Sequence, residues 1–298
     1  RPLTPTTRHR FAIALLWITP ALWSSNYIIA RLAAGRIAPH QLALGRWGLA
    51  VLLLLLLVGA VLWRERAALR REWPQLLVLG ALGMWVCGAF VYIGGEATTS
   101  VNIALIYAAS PVAIAWIGSR LAREPLTARQ RLGLGLALTG VVYVIAKGDL
   151  DTLLAVRFNR GDAWIAVASA CWTAYSVLLG HWKSALPPLP RLAAMAAGGV
   201  VVLVPFTLLE AALVPTPPLG AAGWGLIVVA ALLPGLLSYG AYSFLMRELG
   251  PARTVLLLYL APLYGALLAW LILGEPPHLY HAVGAALILP SIALASRR

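Results

Sequence analysis

The chain has 298 residues, of which 61% are hydrophobic and only 11% are charged, whereas an ordinary soluble domain has roughly a quarter of its residues charged. Its formal net charge is +13 at pH 7, but in so apolar a chain we interpret the basic excess as a membrane-topology signal rather than a nucleic-acid surface. The composition therefore excludes an ordinary soluble domain and predicts a protein surrounded by the lipid bilayer.

Ten apolar runs are long enough to cross a bilayer core, which takes about 17 to 25 helical residues. The first run is longer than the apolar core of a cleavable signal, so we expect it to stay in the protein. We therefore predict an all-α polytopic membrane protein with ten transmembrane helices. In chain order the runs lie near residues 11–34, 41–63, 74–94, 99–121, 130–147, 161–181, 191–214, 221–245, 252–274 and 279–296.

The chain repeats itself with an offset of 151 residues. Pro111 interrupts the fourth run and precedes a Glu-Pro pair at Glu124, and Pro262 interrupts the ninth run and precedes one at Glu275 by the same interval. The same register relates Leu105, Ala115, Gly133, Leu136 and Leu138 to Leu256, Ala266, Gly284, Leu287 and Leu289. A duplicated membrane unit of this kind is typical of transporters.

Basic residues are concentrated on alternate loops. If the N-terminus is cytoplasmic, 17 of the 23 Lys and Arg residues fall on the cytoplasmic side. The positive-inside rule then predicts that both termini are cytoplasmic, in a bacterial inner membrane. The six basic residues assigned to the opposite side are Arg31, Arg36, Arg46, Lys147, Arg157 and Arg160.

Duplication and topology together predict two inverted halves. A five-helix unit that begins on the cytoplasmic side ends on the opposite side, so its copy must begin there. We expect one repeat over residues 1–147, a periplasmic-side linker over 148–160 and the inverted repeat over 161–298. In transporters built this way the substrate lies near the midplane between the halves, and rocking of one half against the other alternates access. The two proline-interrupted helices should meet there.

Two motifs near the start of the halves carry a family resemblance. The first run contains Trp-Ser-Ser-Asn-Tyr at 23–27, followed by Arg31. The first run of the second half contains a similar motif, Trp-Thr-Ala-Tyr, at 172–175. Together with the interrupted helices and their Glu-Pro ends, these motifs resemble the drug/metabolite transporter superfamily, with its paired EamA-type domains, over nearly the whole chain. The 172–175 motif, Tyr107 and Tyr259 are most similar to YddG-type exporters of aromatic amino acids.

Small polar and aromatic residues inside the runs are the candidate substrate site. No Asp or Glu lies at a clear mid-span position, which argues against a deep carboxylate that carries ions or protons. Aromatic rings suit an amphiphile and can hold an ammonium group, as can backbone carbonyls freed at the two prolines. The predicted substrate-binding residues are Ser24, Asn26, Tyr27, Tyr92, Tyr107, Ser110, Pro111, Trp172, Tyr175, Tyr239, Tyr242, Tyr259 and Pro262.

These observations predict an exporter or facilitator of small amphiphilic metabolites, with aromatic and other neutral amino acids as leading substrates. The alternative is the same fold with another cargo, such as drugs, polyamines or nucleoside-like compounds. A membrane-embedded enzyme is less favoured, because the chain has no phosphate-binding GxxxxGK[ST], no HExxH and no Ser, His and Asp set placed together. We expect no catalytic residue, no metal, no cofactor and no obligate protein partner, hence a monomer.

Overall fold

A computed structural model describes residues 5–215, 218–274 and 276–296, and that part of the chain contains helices and no strand. Two short π-helical segments, Ala81–Phe90 (π1) and Ala231–Leu237 (π2), a third at Ala269–Leu273 and a 3-10 segment at Val255–Leu260 interrupt the α-helices. The α-helices are α1 (Pro5–Ala33), α2 (Pro39–Arg64), α3 (Arg66–Gly80), α4 (Val91–Gly95), α5 (Ser100–Ala108), α6 (Ser110–Ala122), α7 (Ala128–Ile145), α8 (Leu150–Leu154), α9 (Arg160–His181), α10 (Pro188–Leu213), α11 (Ala221–Ala230), α12 (Ser238–Leu249), α13 (Pro251–Thr254), α14 (Ala261–Leu268) and α15 (Leu279–Ser296).

Eight continuous helical stretches within the described residues are long and apolar enough to cross a membrane. They correspond to eight of the ten predicted spans. The predicted span at 279–296 is a shorter apolar helix, Leu279–Leu294, and the one at 130–147 is α7, whose first turns carry Arg129 and Arg131. The eight stretches are Thr7–Ala30, Pro39–Arg64, Arg66–Gly95, Val101–Ala122, Arg160–His181, Pro188–Leu213, Ala221–Leu249 and Pro251–Ile272.

The two shorter helices pack against each other through glycines. A Cβ atom built on Gly284 would lie 2.1 Å from Val144 Cγ2, and one built on Gly140 would lie 2.8 Å from Ile288 Cγ1. Missing side chains at these two positions let the backbones of α7 and α15 approach closely, as small residues do in membrane helix pairs. This contact joins the last helix of each half.

Contacts between the halves are reciprocal. Helix α1 packs against α12 and α14 of the second half, and α9, the first long helix of the second half, packs against π1, α4, α5 and α6 of the first. Helix α2 packs on α10, its counterpart in the second half. Helix α7 likewise packs on its counterpart α15. Each half therefore contacts the other through equivalent helices.

Both predicted helix interruptions are present in the structure. Helix α5 ends at Ala108 and α6 begins at Ser110, and the 3-10 segment ends at Leu260, directly before α14 begins at Ala261. Pro111 and Pro262 each occupy the second position of the helix that follows, where a missing backbone N–H breaks no helical hydrogen bond. Each of these two prolines therefore marks the start of the second part of its span.

The two π segments occupy equivalent positions in the two halves. In each of them, the backbone carbonyl of an equivalent residue accepts a hydrogen bond from a side chain of the other half. The Gly83 carbonyl in π1 accepts a hydrogen bond from the Tyr239 hydroxyl at 2.9 Å, and the Pro234 carbonyl in π2 accepts one from Arg46 Nη2 at 2.8 Å. Gly83 and Pro234 are 151 residues apart. Wider helical turns of the π type occur often at functional sites, and here they form part of the centre of the bundle.

Glu210, near the end of α10, holds the start of α2 in place. Its Oε2 accepts hydrogen bonds from the backbone N–H groups of His40 at 2.9 Å and Gln41 at 3.1 Å, and its Oε1 lies 2.9 Å from His40 Nδ1. Replacing Glu210 by alanine leaves these first-turn donors unpaired, so we expect the free energy of unfolding to fall by about 1 to 3 kcal/mol.

Denaturation of the purified protein in detergent measures this effect. The matched control is Glu65→Ala, which removes an exposed carboxylate between α2 and α3 and should change the free energy of unfolding by less than about 0.5 kcal/mol. Equal destabilisation by the two variants would contradict the role given to Glu210.

Candidate functional site

Aromatic side chains from four helices form one continuous cluster in the middle of the bundle. Trp23 of α1 lies with its ring centroid 5.3 Å from Trp172 and 5.2 Å from Tyr242, and Trp47 of α2 lies 4.8 Å from Tyr239. The Trp23–Trp172 and Trp47–Tyr239 pairs meet edge to face, an arrangement that aromatic quadrupoles favour. We call this set the aromatic cluster; it consists of Trp23, Trp47, Trp172, Tyr175, Tyr239 and Tyr242.

The aromatic cluster is closed in this conformation. Four of the predicted binding residues, Trp172, Tyr175, Tyr239 and Tyr242, are buried and pack on one another. The Tyr242 hydroxyl donates to Ser176 Oγ at 2.9 Å. A substrate can reach these rings only when the helices that carry them separate, since packed interiors leave no room for a ligand.

A polar group borders the cluster and includes a residue that the charge count misassigned. Arg46, counted as a loop residue, lies inside α2 and is only 4% exposed. Its Nη1 lies 3.4 Å from Asn26 Oδ1, which also accepts a hydrogen bond from the Tyr92 hydroxyl at 2.9 Å. We call Asn26, Arg46 and Tyr92 the polar group. The sequence did contain a signal for the burial of Arg46, because this residue falls within the second apolar run, where a charge is costly and usually functional.

The interrupted helices meet each other and α1 through hydroxyl groups. The Tyr259 hydroxyl donates to the Ala108 carbonyl at 3.3 Å, a bond between positions 151 residues apart, and Ser24 Oγ donates to the Ala261 carbonyl at 3.0 Å. The sequence suggested that carbonyls at the interruptions are free for a substrate ammonium group. These two carbonyls are not the ones that lose a helical donor to a proline, which lie four residues before it, so the suggestion stays a prediction.

The remaining predicted residues lie around the same interruptions. Ser110 is buried, with its Oγ 2.7 Å from Ser169 Oγ of α9, and Pro111 beside it is also buried. Tyr107 and Pro262 are half-buried. The side chain of Tyr27 lies outside the part of the chain that the structure describes.

A cavity of about 870 Å³ lies at the end of the bundle where α1 begins. Glu124, Gln130 and Glu248 are among its lining residues, and Glu248 is paired with Arg8 of α1. Glu124 begins the first Glu-Pro pair. The residue before it, Arg123, has a left-handed backbone (φ 56°) that ends α6, and Glu124 lines this cavity. Its volume is in the range of small-molecule sites.

Metal chemistry finds no support among the residues that the structure describes. They include no group of three or more His, Cys, Asp and Glu side chains able to hold a metal ion. His278 donates its backbone N–H to His281 Nδ1 at 3.0 Å. This contact is local to the start of α15.

A helical bundle with eight membrane-length stretches, two interrupted helices that meet, and an interior lined by aromatic and small polar groups defines a polytopic membrane transporter. The profile of the EamA-like transporter family matches residues 10–146 and again residues 159–297. The chain therefore belongs to the EamA-like transporter family, within the drug/metabolite transporter superfamily.

Several curated relatives span nearly the whole chain. The uncharacterized transporter YyaM of Bacillus subtilis is 26% identical, over 91% of this chain and 89% of its own length. The S-adenosylmethionine/S-adenosylhomocysteine transporter of Chlamydia trachomatis serovar D is 25% identical, over 92% and 86%. A probable terminal-alkyne amino-acid exporter of Streptantibioticus cattleyicolor is 24% identical, over 96% and 94%. All three are named as transport proteins.

A solved crystal structure has a similar fold. It superposes with a TM-score of 0.75 at 20% sequence identity and covers 96% of each chain. The family and its relatives make this chain a membrane-embedded transporter of a small molecule, and not an enzyme.

Proposed function

We propose that the chain exports or equilibrates small amphiphilic metabolites, with aromatic and other neutral amino acids as its leading substrates, as in YddG-type exporters. The observation that carries this proposal is the aromatic cluster, in which Trp23 and Trp47 of the first half meet four rings of the second. Aromatic faces with polar tips match a substrate that has a ring or alkyl chain and a polar end. The relative named as a probable amino-acid exporter supports the same substrate class.

We also propose ten spans arranged as inverted repeats over residues 1–147 and 161–298, joined by a periplasmic-side linker over 148–160. Reciprocal contacts between equivalent helices, and interruptions at equivalent prolines, support this arrangement. Both termini would then be cytoplasmic in a bacterial inner membrane. One chain supplies both halves, so a monomer is sufficient for alternating access.

The proposed substrate site lies between the halves and opens when they rock apart. In that state the rings of the aromatic cluster lose their partners in the opposite half and gain free faces for a substrate. The residues proposed to line it are Ser24, Asn26, Tyr27, Tyr92, Tyr107, Ser110, Pro111, Trp172, Tyr175, Tyr239, Tyr242, Tyr259 and Pro262.

The alternative is the same fold with another cargo, such as drugs, polyamines or nucleoside-like compounds. The relatives named as S-adenosylmethionine/S-adenosylhomocysteine transporters support this alternative. Both cargo classes use the same interior, so only transport specificity separates them.

A flux experiment tests the proposal. We expect purified protein in liposomes, without ATP, to exchange labelled phenylalanine saturably, and we expect unlabelled tryptophan and leucine to compete. Protein-free liposomes and the surface variant Trp224→Ala, which removes an exposed ring, are the controls. Stronger competition by S-adenosylmethionine, nucleosides or polyamines than by aromatic amino acids would favour the alternative. Absence of any phenylalanine exchange by a folded protein would contradict the leading proposal.

A further inference from the structure

Arg46 is a buried cation without an acidic partner. Among the described residues, the ion pairs join Arg8 to Glu248, His40 to Glu210, and Arg71 to Glu72, and none of them includes Arg46. An uncompensated charge in a membrane interior is costly, and such residues generally pair with one another or mark a substrate pathway. The structure therefore leaves the charge of Arg46 available to a ligand.

The guanidinium group also has unused hydrogen-bond donors. Of its five N–H groups, Nη2 uses one on the Pro234 carbonyl at 2.8 Å and Nη1 uses one on Asn26 Oδ1 at 3.4 Å. The buried Nε has no hydrogen-bond partner. Three donors are therefore uncommitted, and a planar guanidinium fork matches the two oxygens of a carboxylate better than it matches any neutral group.

The position of Arg46 links this charge to the aromatic cluster. Its guanidinium carbon lies 5.0 Å from the ring centroid of Trp47 and 5.9 Å from that of Tyr239. On its other side, Asn26 and Tyr92 are half-buried. Rings and cation therefore stand side by side, at the spacing that a carboxylate and an apolar side chain of one small molecule can span.

We propose that Arg46 binds the carboxylate of the transported molecule, which restricts the substrates to amphiphiles that carry a carboxylate. This inference rests on the proposed function and adds the residue that recognises the acid. The competing explanation is structural, with Arg46 serving only to hold the π2 carbonyl of Pro234. That role needs a single donor, and it does not make binding depend on the charge of the ligand.

Matched ligands test the proposal on the unmodified protein. We expect phenylalanine to compete for uptake, and to raise the melting temperature of purified protein, at concentrations about tenfold lower than those needed of phenylalaninamide or phenethylamine. Removal of one partner of a charged hydrogen-bonded pair at an interface typically costs at least this much. Pairs of straight-chain carboxylic acids and their amides extend the comparison beyond amino acids.

Two substitutions then assign the preference to Arg46. In Arg46→Gln the acid and the amide should become equivalent, mainly through a higher KM for the acid, and Arg46→Lys should retain part of the preference because it keeps the charge. Arg36→Gln, which neutralises an exposed arginine between α1 and α2, should keep the full preference. If Arg46→Gln does not fold, the ligand pairs on the unmodified protein and the lysine variant decide the question.

The outcomes separate this inference from the proposed function. Phenylalanine uptake without any preference for acids over amides overturns the role of Arg46 but leaves the proposed substrate class standing. A preference for other carboxylates, with no amino-acid uptake, supports Arg46 and overturns the amino-acid proposal. An undiminished acid preference in Arg46→Gln assigns recognition to another residue and overturns the inference.

Discussion

Alanine at Gly80 is expected to lower the free energy of unfolding by about 1 to 3 kcal/mol, and leucine there is expected to prevent assembly of the bundle. A Cβ atom at this position would lie 2.3 Å from the Met195 carbonyl oxygen and 2.4 Å from the Gly199 backbone nitrogen. Both are backbone atoms of α10, so no side-chain rotation can relieve the clash. Helices in lipid associate through close packing rather than apolar burial, so separating α3 from α10 removes much of what joins the halves there.

Unfolding of the purified protein in mixed detergent measures the loss. The matched control is Gly59→Ala in α2, where nothing lies within 4 Å of the added Cβ. Because alanine favours helix by about 1 kcal/mol over glycine, that variant should be as stable as the original protein or slightly more stable. A Gly80→Ala protein of unchanged stability would mean that α3 and α10 can move apart without cost.

Alanine at Trp172 should both destabilise the protein and reduce transport. The indole packs against Trp23, Tyr175 and Tyr242 with ring centroids 5.2 to 5.4 Å apart. Truncating a buried aromatic side chain leaves a cavity and costs about 3 to 5 kcal/mol. Flux of a large aromatic substrate should fall about tenfold or more, since each 1.4 kcal/mol of lost binding is a factor of ten.

Transport and stability must be measured together for this variant. Trp224→Ala removes an indole that is 56% exposed and should change the free energy of unfolding by less than about 0.5 kcal/mol. Trp172→Phe, which keeps a ring, should lose less than alanine in both assays. Tyr107→Ala removes a half-buried ring and should reduce flux with a smaller loss of stability. Unchanged flux in both Trp172→Ala and Tyr107→Ala would contradict the proposed position of the site.

Local chemistry made several features predictable from the amino-acid order. Proline lacks a backbone N–H wherever it occurs, so Pro111 and Pro262 fit the second position of a helix, which is where each of them lies. Apolar length alone locates eight of the ten predicted spans. The other two predicted spans, α7 and α15, stay a prediction; their close pairing through Gly140 and Gly284 is a feature that an apolar count does not record.

The candidate site was less predictable, because its contacts join residues far apart in the chain. Ranking residues by type selected polar and aromatic groups inside the runs, but it omitted Trp23 and Trp47, which complete the aromatic cluster. It also assigned Arg46 to a loop, since the count of basic residues considers sides of the membrane and not depth. The Ala108 and Ala261 carbonyls beside the prolines accept hydrogen bonds from Tyr259 and Ser24, which are distant in the chain.

By itself the sequence determined the membrane class, the internal repeat and the two helix interruptions, because hydropathy, register and proline geometry are properties of the chain alone. Only the tertiary structure decided which rings touch, that Arg46 is buried without an acidic partner among the described residues, and that the centre of the bundle is closed. These properties depend on how helices pack around a shared interior, and in lipid that packing follows from close backbone approach and hydrogen bonding rather than from hydropathy.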